Sequence, residues 1–265
     1  MSSTLGIVEA RCEGLKGKVA RRLGGKPLLD WIVRQVTESQ QLDDVVVVAA
    51  NHVQSSLACD TPLDHDDHAP PIESIDHLVP GNVALFHAAS DDVLSTYRSI
   101  LEDRPADAVV RICADTPFVD PALIDRLVCA AADHAGSDYI SYALSNGRPA
   151  IFSPVGIFAE WCRAEAVRIA DDEAIGRLDR CQPTRFVYSR PDRFAIRLLP
   201  APEGLDRRDL RLTIDSEEDW DHTQAMFDAL GPDRMNWHEV AELLNHHPEM
   251  RQRMAVLNGD LAASQ

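Results

Sequence analysis

Four consecutive valines, Val45 to Val48, run on into Ala49 and Ala50 and leave this stretch without a polar face. A strand that spares no face for water belongs in the middle of a parallel sheet, covered by helices on both sides. The rest of the chain meets that demand, because strand-like and helix-like patterns alternate as in βαβ units joined by right-handed crossovers. Leu5 to Ala10 reads as the first strand, and Gly24-Gly25-Lys26-Pro27 leads into a helix with Leu28, Leu29, Ile32, Val33 and Val36 at helical spacing. The fold class expected is α/β, a mostly parallel sheet flanked by helices.

Further along, Val83-Ala84-Leu85-Phe86 resumes the sheet, and Ser90 or Asp91 is expected to cap a helix carrying Val93, Leu94, Tyr97, Ile100 and Leu101. The run Val109-Val110-Arg111-Ile112-Cys113-Ala114 then ends in Asp115. Ligands of open α/β sheets bind beyond the carboxyl ends of the strands, so Asp115 is placed to face a ligand or its metal. Asp120, followed by Pro121, reads as an N-cap with proline at the first helical position. Asp138 to Ala143 looks like another strand, and residues 145–205 mix short helices with short strands in a region suited to shaping a substrate pocket.

Leu210-Arg211-Leu212-Thr213-Ile214 alternates like a strand and ends in a second carboxylate, Asp215. Ser216 and Asp219 resemble a capping box, so Asp215 is either a ligand or metal residue or only the start of the helix. Asn236 is expected to cap a helix from Trp237, Pro248 to open another, and the tail from Asn258 to fray. This gives one main domain over 1–235 and a helical extension over 236–265. Residues 51–80, with Pro62, Pro70, Pro71 and Pro80, read as a surface excursion with little regular structure. Its Asp64-His65-Asp66-Asp67-His68 cluster has the donor types of a transition-metal site, but no apolar framework around it, and a solvated loop is the reading preferred.

Composition narrows the partners. In 265 residues, 43 acidic against 26 basic side chains give a net charge of -17, which repels a nucleic-acid backbone. A small phosphorylated ligand stays admissible where local Arg, Lys and a divalent cation offset the field. Six cysteines without C-x-x-C spacing suit a reducing, cytoplasmic setting. No secretory leader and no membrane-spanning stretch is expected. The glycine pattern G-x-G-x-x-G is missing after the first strand, as are a Walker loop and a G-x-S-x-G elbow, which removes support for dinucleotide, P-loop and α/β-hydrolase chemistry.

Ile7-Val8-Glu9-Ala10-Arg11, Gly17-Lys18-Val19, Leu23-Gly24-Gly25-Lys26-Pro27-Leu28-Leu29 and Asp91-Asp92-Val93-Leu94 together resemble the spore-coat-polysaccharide type of cytidylyltransferase. Val110 to Asp115 with Asp120-Pro121, and Leu210 to Asp219, resemble that family's remaining hallmark blocks in the same order. The family is related to the CMP-Kdo and CMP-sialic acid synthetases. The resemblance spans nearly the whole chain and implies a nucleotide-diphosphosugar-transferase-like fold. It also implies transfer of CMP from CTP, or of another nucleotide from its triphosphate, to a sugar hydroxyl, with Mg²⁺ bound and pyrophosphate released. On that resemblance Asp115 and Asp215 would hold the metal, and Arg11 and Lys18 would grip the triphosphate. The backbone from Ala10 to Gly14 would cradle the nucleotide, and Lys16 and Arg111 would be further binding residues. Asp115, Arg11 and Lys18 are thus the candidate catalytic set, and a homodimer is an assembly the family allows.

The chain departs from the family pattern in places. Its first loop, Cys12-Glu13-Gly14-Leu15-Lys16, is about two residues shorter than usual and lacks the usual Ser and Arg. Loss of an arginine fork should weaken triphosphate binding unless Lys16 substitutes as a point charge. His87-Ala88 stands where the family has Arg-Gly, and the acidic sugar-site motif gives way to Pro149 to Gly156. The competing expectation is a non-catalytic, nucleotide- or partner-binding protein on the same fold.

Overall fold

The structure is a computed structural model describing residues 2–11, 17–50, 74–88, 92–147 and 149–263. The chain runs through β1 (Thr4–Arg11), β2 (Arg22–Leu23), β3 (Lys26–Pro27), α1 (Leu28–Thr37), β4 (Asp44–Ala50), β5 (Ala84–Ala88), α2 (Val93–Asp103) and β6 (Ala108–Cys113). It continues with α3 (Pro121–Asp133), β7 (Tyr139–Ala143), β8 (Glu160–Arg163), α4 (Ala164–Glu173), α5 (Arg177–Cys181), α6 (Arg185–Tyr188) and β9 (Ile196–Pro200). Three helices close it: α7 (Glu217–Leu230), α8 (Trp237–His246) and α9 (Pro248–Ala263). None of the described helices is long and apolar enough to cross a membrane.

Seven strands form one sheet in the order β5-β4-β1-β6-β8-β7-β9, while β2 and β3 make a small hairpin of their own. β5, β4, β1 and β6 are mutually parallel; β8 enters antiparallel between β6 and β7, and β9 pairs parallel with β7. The valine run sits where its composition requires. Val45, Val47 and Ala49 pack into the core on the α1 and α3 face, whereas Val46 and Val48 pack into a second core with α2 and α4. Each valine so buried contributes roughly 1.5–3 kcal/mol relative to exposure. β1 divides in the same way, with Val8 and Ala10 on one face and Leu5 and Ile7 on the other.

From β1 the chain builds outward in one direction through β4 and β5, then returns to lay β6 on the opposite flank of β1. The strand order therefore reverses between β1 and β6, the position at which open α/β sheets bind ligands. Register aligns the exits of these strands, with Arg11 opposite Ala50, Ala50 opposite Ala88, and Glu9 opposite Cys113.

Several local expectations are corrected. Among the described residues the cap of α2 is Asp92, whose carboxylate accepts from the Ser95 N–H; Ser90 and Asp91 lie outside them. Residues 51–73, including the Asp64 to His68 cluster, are likewise outside the described residues. The end of the 51–80 segment departs from a surface excursion with little regular structure, because Asp76–Leu78 forms a helical turn and Ile75 and Leu78 are buried in the main core. Asn258 lies within α9 rather than in a frayed tail, and Met254 of α9 is fully buried. The caps at Asp120, Asn236 and Ser216, and the start of α9 at Pro248, stand as expected.

Candidate active site

At the end of β6 the chain turns sharply. The Thr116 hydroxyl donates to the Cys113 carbonyl at 2.6 Å, and the Val119 N–H donates back to the Thr116 carbonyl at 3.1 Å. Asp120 then performs two tasks: one carboxylate oxygen accepts from the Ala122 N–H at 2.8 Å and caps α3, and the other accepts from the Trp237 N–H at 2.8 Å at the start of α8. The indole of Trp31 on α1 donates to the Pro117 carbonyl at 3.0 Å. The turn carrying Asp115 is thereby pinned by α1, α3 and α8.

Residues 210–214 were expected to form a strand, and here the structure differs: the segment runs outside the seven-stranded sheet. Its bonds go elsewhere. The Leu212 and Thr213 N–H groups both donate to the Pro154 carbonyl, at 2.8 and 3.3 Å, and the Ile214 N–H donates to the Asp115 carbonyl at 3.0 Å. Alternation of side chains requires only an extended backbone, and an extended backbone can be satisfied by single partners as well as by a ladder. Gly156 makes the close approach feasible. It adopts φ +58, and a β-carbon there would strike the Thr213 methyl and come within 2.7 Å of the Thr213 backbone nitrogen.

This segment delivers Asp215 to Asp115. Lys18 arrives from the other side, in a helical turn after Gly17, which takes the left-handed φ of 84. Its ammonium is buried, donates to the Ile214 carbonyl at 3.1 Å and stands 3.8 Å from Asp115 Oδ2. Asp215 Oδ2 accepts from Thr213 Oγ1 at 2.9 Å and from Arg211 Nη2 at 3.2 Å. The carboxyl of Asp215 is pushed above the ordinary aspartate range, first by desolvation and then by the negative charge of Asp115, with Lys18 and Arg211 pulling the other way. The Asp215 pKa is raised even with Lys18 and Arg211 at hand, so two carboxylates close enough to repel form a place where added positive charge is favoured.

The donor set suits a hard divalent cation. Mg²⁺ prefers oxygen ligands and is commonly held by one or two carboxylates, with waters and substrate phosphates completing the octahedron. Asp115 and Asp215 are such a pair, and among the described residues no group of three or more His, Cys, Asp or Glu side chains competes as a metal site.

The remaining candidates divide. Ala10 is fully buried and packs its side chain in the core, which leaves only its backbone, near the strand exit, to face a ligand. Arg11 is the last residue of β1, at the same edge. Gly14 and Lys16 lie outside the described residues. Arg111 is buried beneath the strand ends and bonded to protein partners. It clamps Glu9 with two bonds of 2.9 Å and reaches Glu160 at 3.5 Å. Tyr97 donates to Glu9 at 2.7 Å, and the Thr184 hydroxyl donates to Glu160. What the sequence reading missed is the converse: Arg211 and Thr213, quoted there only as part of a motif, touch Asp215 directly. The available signal was spacing, because Arg211 precedes Asp215 by four residues and Asp219 by eight.

Comparison with known proteins bears on the fold and the family. Over 257 residues the chain is 28% identical to the spore coat polysaccharide biosynthesis protein SpsF of Bacillus subtilis (strain 168), covering 94% of this chain and 97% of that protein. Over 215 residues it is 25% identical to the 3-deoxy-manno-octulosonate cytidylyltransferase of Bdellovibrio bacteriovorus, covering 76% of this chain and 79% of that protein. A cytidylyltransferase structure from Leptospira borgpetersenii has the same fold, with a TM-score of 0.75 at 18% identity over 95% of this chain and 98% of its own. The structure of CMP:2-keto-3-deoxy-manno-octonic acid synthetase complexed with CTP shares it at a TM-score of 0.59 and 12% identity, over 86% and 99%. Residues 10–190 match the MobA-like NTP transferase domain, a stretch that holds Lys18 and Asp115 and stops short of Asp215. On that match, which runs through most of the chain, this protein belongs to the MobA-like NTP transferase family.

Proposed function

We propose that the protein is a Mg²⁺-dependent cytidylyltransferase that moves CMP from CTP to a sugar hydroxyl and releases pyrophosphate, in the making of cell-surface polysaccharide or glycoconjugate. The observation that carries this reading is the convergence of Lys18, Asp115 and Asp215 at the strand-order reversal between β1 and β6. The names of the relatives, one in spore coat polysaccharide biosynthesis and one a cytidylyltransferase of a sugar acid, support the choice of nucleotide and acceptor class.

The roles follow from charge and position. The acceptor oxygen forms a bond to the α-phosphorus as the bond from that phosphorus to the β-phosphate oxygen breaks, and the hydroxyl proton passes to solvent. Lys18 offsets the phosphate charge from a buried position, where a cation acts more strongly than in water. Arg11 and Lys16 would add charge from the strand exit and the first loop. Asp115 and Asp215 would hold the cation, which would supply positive charge to offset that developing on the phosphate. The backbone from Ala10 to Gly14 would lie along the nucleotide.

The test is thermal unfolding with CTP, UTP, ATP and GTP, each with and without Mg²⁺. A ligand at 100 times its Kd stabilises by roughly 2.7 kcal/mol, an easily read shift. A Mg²⁺-dependent shift with CTP alone is expected, and Asp115→Asn is expected to remove its Mg²⁺-dependent part while leaving the fold intact. No shift with any nucleotide would overturn the reading in favour of a non-catalytic protein on this fold.

A further inference from the structure

A carboxylate that is to meet a cation must be held still without having both of its oxygens occupied. Arg211 is built for such holding. Its side chain is 4% exposed, and the carboxylate of Asp219 beside it is 1% exposed. The guanidinium grips Asp219 through Nε at 2.6 Å and Nη2 at 3.0 Å, and the same Nη2 extends 3.2 Å to Asp215 Oδ2. Asp219 in turn accepts from the backbone N–H groups of Asp215 at 3.0 Å and Ser216 at 2.9 Å, fixing the main chain on which Asp215 stands. Both side-chain donors to Asp215, Arg211 Nη2 and Thr213 Oγ1, take Oδ2.

We infer that Arg211, braced by Asp219, is the positioning residue of the site: it turns Asp215 so that one oxygen is tied to the protein and the other is presented toward Asp115. The inference rests on the proposed metal role of Asp115 and Asp215. Two features separate it from a merely structural ion pair. First, Arg211 is oversupplied for binding Asp219 alone, since it spends a third contact on a half-exposed carboxylate, and its buried Nη1 has no protein partner. Second, a planar fork reaches two carboxylates at fixed angles, which a lysine ammonium cannot do.

The experiment measures Mn²⁺ binding to the protein by electron paramagnetic resonance of free Mn²⁺ in the presence of CTP, read against protein-free Mn²⁺–CTP controls, for wild type and Arg211→Lys. Outer partners of metal ligands typically set affinity by about 10- to 100-fold, and a loss in that range is expected in the folded variant, with CTP binding in the absence of metal unchanged. Unchanged Mn²⁺ affinity in folded Arg211→Lys, with only a lowered Tm, would overturn the inference while leaving the proposed function standing. Absence of Mn²⁺ binding by wild type would remove the proposed function and this inference with it. If Arg211→Lys does not fold, Asp219→Asn decides. Freed from its balancing charge, Arg211 should close on Asp215 and compete with the cation, lowering Mn²⁺ affinity; unchanged affinity there overturns the inference.

Discussion

Arg111 and Arg211 are both buried arginines that bind one carboxylate bidentately and reach toward a second, yet their surroundings give them opposite uses. Around Arg111 everything is sealed: Glu9 and Glu160 are each 1% exposed, and Tyr97 and Thr184 supply further hydrogen bonds to those carboxylates. Around Arg211 only Asp219 is sealed, and the second carboxylate, Asp215, is half-exposed at the strand ends. The first network therefore ties β1, β6 and β8 together under the site, and the second transmits that rigidity to a group able to meet a ligand. Burial of a guanidinium does not decide its role; the exposure of its outermost partner does.

The comparison breaks most visibly at Arg111. Arg111→Met strands two buried carboxylates without a counter-charge, and a loss of about 3–5 kcal/mol is expected in urea unfolding. A stability change below about 1 kcal/mol accompanied by weakened nucleotide binding would instead make Arg111 a ligand-binding residue and erase the contrast. A smaller effect, on the other network, is expected from Gly156→Ala. Left-handed backbone at a non-glycine residue costs about 1–3 kcal/mol, and the clash with Thr213 should displace Asp215 as well. Calorimetry with and without Mg²⁺ and CTP checks this; a variant that is destabilised yet keeps the full ligand-induced shift would show that Asp215 is held independently of Pro154 and Gly156.

The smallest effect is a slope. Burial pushes the Glu160 carboxyl above its ordinary value of 4.5, against the pull of Arg111. In the window from that value up to the raised one, the folded state holds more protons than the unfolded state, so Glu160 makes stability fall as pH rises. Glu160→Gln removes this contribution, and its stability relative to wild type should climb with pH across the window. A flat difference would mean that Glu160 titrates alike folded and unfolded, contrary to a sealed network.

Much of the fold was legible because each element advertises itself locally. The valine run forced a central strand, apolar residues at helical spacing marked α1, and Asp120, Ser216 and Asn236 announced their helices. Asp115 was legible by the same route, as the first carboxylate after a buried strand. Residues 210–214 were not, since alternation specifies an extended backbone and says nothing about which neighbours receive its hydrogen bonds. Nor could the sequence distinguish Arg111 from Arg211. Each lies in an apolar run a few residues before an aspartate, and only the register bringing Glu9 and Glu160 to Arg111 separates them.

One contact carries a consequence in time. Asn258 on α9 donates through Nδ2 to the carbonyls of Arg208 and Leu210, both at 3.0 Å, and Arg251 holds Asp209 at 2.7 Å. These partners follow the segment they grip by 42 to 50 residues. At about 5–20 residues per second of synthesis, the stretch leading to Asp215 waits roughly 2–10 s for its last supports. A nascent chain can thus have its sheet assembled while its second carboxylate is still untethered, and the site is finished only when the ribosome has translated well past it.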